Sequence, residues 1–176
     1  MRQAQLEQLY SRLEKPVYNV VYRWIWQTEE AQDIVQEAFV RLWRMRERVD
    51  LATVEPLLYR IALNLAASRV RRRRIRRWIS LDALGQTPSP EADAAEQLAG
   101  RDERARVRAA VRALPEDLRR VILLCEYSTM SYGEIGKILS IPAGTVGSRR
   151  HRALELMRRR LMREAVGDER PARRTV

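Results

Sequence analysis

"SYGEIGKILSIPAGTVGSRRHRAL", residues 131–154, carries two short amphipathic segments that meet at an Ile-Pro corner. Ser131 followed three residues later by Glu134 predicts a capping box, in which each side chain satisfies a backbone N–H at the helix start. Ile135, Ile138 and Leu139 supply one apolar face of this first helix. Pro142 lacks an N–H and cannot continue that helix, yet its fixed φ suits the first turn of the next. Two helices joined at so tight a corner match the helix-turn-helix motif.

The second of these helices decides what the motif is for. At about 100° per residue from Val146, Ala153 and Met157 fall within about 20° of it, and Leu161 and Leu154 within about 80°. Ser148, His151, Arg152, Glu155 and Arg159 lie about 120° or more away. Hydroxyl, imidazole and guanidinium groups facing outward near a helix N-terminus are the groups that read a DNA major groove. Arg149 and Arg150 sit at the flanks, where their stems can pack while their heads reach phosphates.

The remainder of the chain is consistent with a polyanionic partner. Its 176 residues carry a formal net charge of +11, and the pI is about 10.8, a balance that favours nucleic acid. Only Lys15 and Lys137 among the 34 cations are lysine. Arginine forks onto phosphate and guanine, although a genome-wide codon preference gives the same excess. The single cysteine, Cys125 in "VILLC", excludes an internal disulfide and a cysteine-based metal site, and reads as a buried core thiol. The start lacks the apolar core of a signal peptide. No apolar run approaches the roughly 20 residues of a membrane span. A cytoplasmic protein that is not membrane-inserted is expected, with no cofactor, no metal and no small-molecule substrate.

Charge divides the chain into modules. Residues 1–78 hold 16 basic and 9 acidic groups and residues 101–166 hold 15 and 8, so each is net +7. Residues 79–100 contain four acids and no base, within the small-polar stretch "GQTPSPEADAAEQ", and read as a linker. Strand signals are nearly absent. The expected fold is all-α, with two small helical domains, 1–78 and 101–166, joined by a flexible acidic linker and followed by a frayed tail, 167–176. In the first domain a helix is expected from about Leu6 to Trp26. A second opens with Thr28 as N-cap, with Glu29 and Glu30 favouring its dipole and a stripe at Ile34, Val35, Ala38, Phe39, Leu42 and Trp43. A third starts near Pro56. In the second domain "DERARVRAAVRAL" forms one helix and Pro115 opens another that runs to about Tyr127.

At the end of the third helix, "RVRRRRIRR" (69–77) packs seven arginines into nine positions, suited to salt-sensitive phosphate binding. Just before it, Asn64 and Tyr59 offer an amide for a base edge and a ring to support an unstacked base. The same two residues also suit a core ring and a buried hydrogen-bonding amide, and the residues alone leave both readings open.

"DIVQEAFVRLWR", "LYRIALNLAASRVRRRR", "LPEDLRRVIL" and "SYGEIGKILSIPAGTVGSRRHRA" occur in this order. Together they resemble the extracytoplasmic-function (ECF) sigma factors, group IV of the bacterial sigma-70 family, over nearly the whole chain. The resemblance implies sigma region 2 in the first module and region 4 in the second. It implies that Asp33, Gln36 and Glu37 are polar contacts to the β′ subunit of RNA polymerase core, with Phe39, Leu42 and Trp43 partly holding the module's own core. The helix from Pro56 to Arg74 would open the promoter −10 element, using Tyr59 and the base-reading Asn64, with Arg60, Ser68, Arg69, Arg71, Arg72, Arg73 and Arg74 on the backbone. The loop "RERVDLATVE" would receive a flipped base, at a cost of a few kcal/mol. The helix 142–160 would read the −35 element through Thr145, Ser148, Arg149, Arg150, His151 and Arg152. The acidic linker would thread the RNA-exit path, where its negative charge can mimic the nascent transcript, and the partner would be the polymerase core through its β′ and β subunits. The protein would be no enzyme, and an anti-sigma factor would hold it inactive. Two positions depart from the family pattern. Leu57 stands where tryptophan is frequent, and Gly147 where a lysine or arginine is usual.

Two other functions compete. A free-standing regulator would use the same helix-turn-helix but leaves the first module without a purpose. A basic nuclease would need metal-binding carboxylate pairs, and the sequence offers no such constellation and a single histidine.

Overall fold

A computed structural model describes residues 1–82 and 99–168. The described residues form seven helices: α1 (Gln3–Ile25), α2 (Thr28–Arg44), α3 (Val54–Asp82), α4 (Ala99–Arg112), α5 (Glu116–Tyr127), α6 (Tyr132–Leu139) and α7 (Ala143–Asp168). No strand occurs among them. Most of the expected linker and the tail beyond Asp168 lie outside the described residues. The helical bounds at Asp82 and Ala99 fall inside the segment read as linker.

The first module packs α1, α2 and α3 on one another. α1 buries Leu9, Leu13, Val17, Val20, Val21 and Trp24, a stripe at helical spacing, and tolerates Pro16 in its interior. It stops at Trp26, which adopts a left-handed φ of 61° and donates its backbone N–H to Tyr22 O at 2.6 Å. α2 answers with Ile34, Val35, Ala38, Phe39 and Leu42, and α3 with Leu58, Tyr59, Ala62, Leu63 and Ala66. Each fully buried aliphatic side chain contributes about 1.5–3 kcal/mol, so this interdigitated set dominates the module's stability. Thr28 is the first residue of α2 rather than its cap. Gln27 holds the cap position with extended dihedrals and no capping hydrogen bond, because its side-chain oxygen accepts instead from Arg73 of α3.

In the second module α4, α5 and α6 each pack on α7, around Leu118, Val121, Ile122, Leu124, Ile135, Ile138, Val146 and Ala153. Pro115 is the N-cap of α5, with Glu116 and Asp117 in the first turn, where carboxylates favour the helix dipole.

The two modules are not separate bodies. α5 packs on α1 and α6 packs on α3, and the apolar core runs continuously from one module into the other. Around that core the contact adds arginines stacked on aromatic rings, for which the sequence carries no periodic signal.

Candidate nucleic-acid interface

The corner between α6 and α7 is built as the sequence predicts. Ser131 Oγ accepts from Glu134 N at 3.3 Å, and the Ser131 N–H donates to Glu134 Oε2 at 2.8 Å. These bonds hold the Glu134 carboxyl below the usual carboxylate range. α6 ends at Ser140, whose φ of 56° is left-handed, and the Ile141 N–H turns back to Gly136 O at 3.0 Å. A Cβ at Gly136 would stand 2.6 Å from the Ile141 carbonyl oxygen. Glycine at this position is what lets the chain turn so tightly.

On α7, Val146 and Ala153 are fully buried, while Ser148, His151 and Arg152 are exposed. The helical wheel predicts this division except at Leu154, which it puts at the edge of the apolar face and which is 40% exposed. Thr145 is half-buried at the first turn, and its carbonyl accepts from Ser148 Oγ at 3.1 Å. The two flanking arginines are held by acids of α5: Arg149 Nε lies 3.6 Å from Asp117 Oδ2, and Arg150 Nη2 lies 2.8 Å from Glu126 Oε1. The Glu126 hydrogen bond pushes the Arg150 pKa further up, so its head remains a fixed cation. Gly147 sits against Tyr132, with the ring 3.4 Å from where a Cβ would be. The departure at this position therefore coincides with an aromatic ring packed over the glycine.

On α3 the candidate residues separate. Tyr59 is only 2% exposed; burial, together with the nearby Glu55 carboxylate, raises its phenol well above the ordinary value. It is a core ring in this structure, the other of the two readings that the residues alone leave open. Asn64 faces outward instead of being buried. Its Oδ1 accepts from Arg120 Nη1 of the second module at 2.9 Å. Arg60, Arg71, Arg72 and Arg74 are exposed, and Ser68 is half-buried. Arg69 and Arg73 turn inward to Glu30 of α2: Arg73 Nη2 lies 2.9 Å from Glu30 Oε2 and Arg69 Nη1 3.7 Å from Oε1. An apolar stripe cannot reveal such a pairing, since Glu30 reads in the sequence as a first-turn carboxylate.

α2 presents a third surface. Asp33 and Gln36 are exposed, and Glu37 accepts from Arg41 at 2.6 and 3.1 Å. Phe39 and Leu42 are buried, as the expectation of a partial core role allowed. Trp43 is half-buried and lies beneath the Arg46 guanidinium, 4.6 Å from the ring centroid. Leu6, Tyr10, Phe39, Val40 and Trp43 line an apolar groove beside these polar groups.

The family model for sigma-70 region 2 matches residues 9–76, and that for sigma-70 region 4 matches residues 104–157. The chain is 30% identical over 154 residues to the ECF RNA polymerase sigma factor SigW of Bacillus subtilis, covering 82% of each. It is 34% identical to the RNA polymerase sigma-H factor of Pseudomonas aeruginosa, covering 89% of this chain and 88% of that one. The chain belongs to the extracytoplasmic-function sigma factors. It is also 35% identical to SigE of Mycolicibacterium smegmatis over 81% of this chain, but spans only 56% of that longer relative.

Two solved structures share the fold of this one. CnrH in complex with the cytosolic domain of CnrY gives a TM-score of 0.66 at 23% identity, covering 96% of this chain and 92% of that one. RpoE in complex with the anti-sigma factor NepR from Bartonella quintana gives 0.65 at 20%, covering 89% and 96%. Among the described residues, no helix of this sigma factor is long and apolar enough to cross a membrane.

Sequence reading of the sigma factor missed the residues at the module seam. Arg119 and Arg120 of α5 lie over the Trp24 ring at 5.1 and 5.9 Å. Arg23 lies over Tyr127 at 4.9 Å, and Arg108 over Trp26 at 5.0 Å. Arginine stacked on aromatic faces has no spacing signature, and only the fold brings these partners together.

Proposed function

We propose that this sigma factor brings core RNA polymerase to two-part promoters in the cytoplasm. α7 reads the −35 element, α3 opens and holds the −10 element, and α2 docks on the β′ subunit. The observation that carries the reading is the partition at the start of α7: Val146 and Ala153 are buried, while hydroxyl, imidazole and guanidinium groups face outward near its N-terminus. Ser148, His151 and Arg152 are assigned to base edges, and Thr145, Arg149 and Arg150 to the flanking backbone. On α3, Asn64 is assigned to base reading. Arg60, Ser68, Arg71, Arg72 and Arg74 are assigned to phosphates, where each neutralised charge adds salt-sensitive affinity. Arg69 and Arg73 act at one remove, since their pairing with Glu30 sets the direction of the α3 arginine run. On α2, Asp33, Gln36, Glu37 and Trp43 form the polymerase contact, supported from behind by Phe39 and Leu42.

The protein performs no bond chemistry; it positions DNA, and the polymerase supplies the reaction. The module boundaries are placed at residues 1–78 and 101–166, with the acidic segment between them crossing the polymerase surface toward β. An anti-sigma factor is the natural regulator, as two structural relatives are complexes of that kind or with a cytosolic partner domain. Run-off transcription with core polymerase on promoters selected from the host genome tests the proposal. Initiation at a defined start site is expected only when this chain is added, and its absence would overturn the assignment.

A further inference from the structure

A cleft of about 810 Å³ opens between α1 on one side and α4 and α5 on the other, within the range of roughly 300–1,000 Å³ that small-molecule sites occupy. None of its lining residues belongs to the promoter or polymerase contacts. Flat groups dominate the wall. Tyr22, Trp26 and Tyr127 contribute rings, and the Arg23 guanidinium lies 5.8, 5.1 and 4.9 Å from their centroids. Arg108 lies over the same Trp26 ring at 5.0 Å. Arg104 also lines the cleft; it is exposed and makes no ion pair among the described residues. Among those residues the wall holds one carboxylate, Glu103, against three guanidinium groups, so the cleft is cationic.

Trp26 is the residue of this wall that helix termination does not explain. A helix that ends in the left-handed region usually places glycine there, and a bulky side chain at a φ of 61° is an outlier. Trp26 is 9% exposed, and its Nε1–H is buried with no acceptor among the described residues. Buried donors are nearly always paired, and backbone strain of this kind concentrates where a ligand is held. Both features point to a ligand that brings an acceptor to the ring.

We propose that this cleft binds a purine nucleoside di- or triphosphate, its base against the Tyr22, Trp26 and Tyr127 rings and its phosphates on the guanidinium groups of Arg23, Arg104 and Arg108. Aromatic rings and guanidinium planes both stack on a base, whatever its sequence identity. A guanidinium stacked on a ring uses its face and keeps its in-plane N–H donors for phosphate oxygens. The purine ring nitrogens supply acceptors for the Trp26 N–H. An acidic peptide would answer the charge but would leave the three rings and the buried donor without a use.

Isothermal titration calorimetry of the full chain with ATP and GTP tests this, beside adenosine and inorganic triphosphate as the two halves of the ligand. Wild type is expected to bind at least one of the two nucleotides with a Kd below about 100 µM. Each half alone should bind at least about tenfold more weakly. Arg104→Glu should weaken nucleotide binding at least about tenfold. Tyr127→Leu keeps apolar bulk but removes a ring, and should weaken it at least about fivefold. Both residues are exposed, so the helical circular dichroism spectrum should not change. Lys15→Glu makes the same charge change at an exposed position of α1 outside the cleft and should alter binding by less than about twofold. Wild type that binds neither nucleotide would overturn the proposal. So would triphosphate that binds as tightly as the nucleotide, or K15E that weakens binding as much as R104E, since either would reduce the effect to the net charge of the chain.

Discussion

Arg73 Nη2 lies 2.9 Å from Glu30 Oε2 across the seam between α2 and α3, and the Glu30 residue is only 9% exposed. Oε2 has no hydrogen-bond-aligned donor, so the contact is mainly one of charge. It ties the arginine run of α3 to the body of the first module. Glu30→Gln is expected to lower unfolding stability by about 1–2 kcal/mol, below the 3–5 of a fully buried pair because Arg73 is partly solvated. Urea unfolding measures this. An unchanged midpoint would show that the pair contributes nothing to the fold.

At Gly136 two effects oppose each other. Alanine gains up to about 1 kcal/mol of helix propensity, but its Cβ would meet the Ile141 carbonyl oxygen at 2.6 Å. That oxygen belongs to the backbone of the corner and cannot swing aside as a side chain could. Overpacking of this kind costs about 1–3 kcal/mol, so Gly136→Ala should destabilise the protein by about 1–2 kcal/mol net. The thermal midpoint should fall, and a rise would mean that the corner relaxes freely.

Below the ordinary carboxyl value of 4.5, the Ser131–Glu134 cap should weaken. Hydrogen bonds from Ser131 lower the folded-state value of Glu134. The stability this contributes is present above 4.5 and is lost as pH falls through the lowered folded value. The stability gap between wild type and Ser131→Ala should therefore be full near neutrality and shrink in acid. A gap that stays constant with pH would remove Glu134 ionisation from the account.

Replacing Asp33 and Glu37 together with alanine should weaken association with core polymerase by about tenfold, equivalent to roughly 1.4 kcal/mol. Both lie on the outward side of α2, away from the core residues Ile34 and Leu42, so folding and duplex binding should be retained. Unaltered recovery of the double variant in a polymerase pull-down would move the docking face elsewhere.

For α7, Arg152→Ala should reduce initiation about tenfold on promoters with an intact −35 element, within the roughly 1–3 kcal/mol of a good base contact. A promoter lacking that element should be little affected. Equal loss on both would assign Arg152 to a general role.

The α6–α7 unit was legible residue by residue. Ser131 and Glu134 form the cap, Pro142 sits at the corner, and Val146 and Ala153 face the core while Arg152 faces solvent. These depend on neighbours within a turn or two, where spacing alone fixes which groups meet. The stripe of α2 was legible for the same reason. Tyr59 was not, because an aromatic in an amphipathic helix suits a core or a surface equally until its partners are known.

By itself, the sequence determined seven helical segments' worth of local pattern, the two basic blocks and the outward arginines of α7, all of them short-range consequences of periodicity, capping and charge. Only the tertiary structure decided that Arg73 turns to Glu30, that Asn64 is held by Arg120, and that Trp24 and Tyr127 receive arginines from the opposite module. Each of these joins residues 43 or more positions apart, through polar and cation–π contacts that leave no periodic mark on the chain.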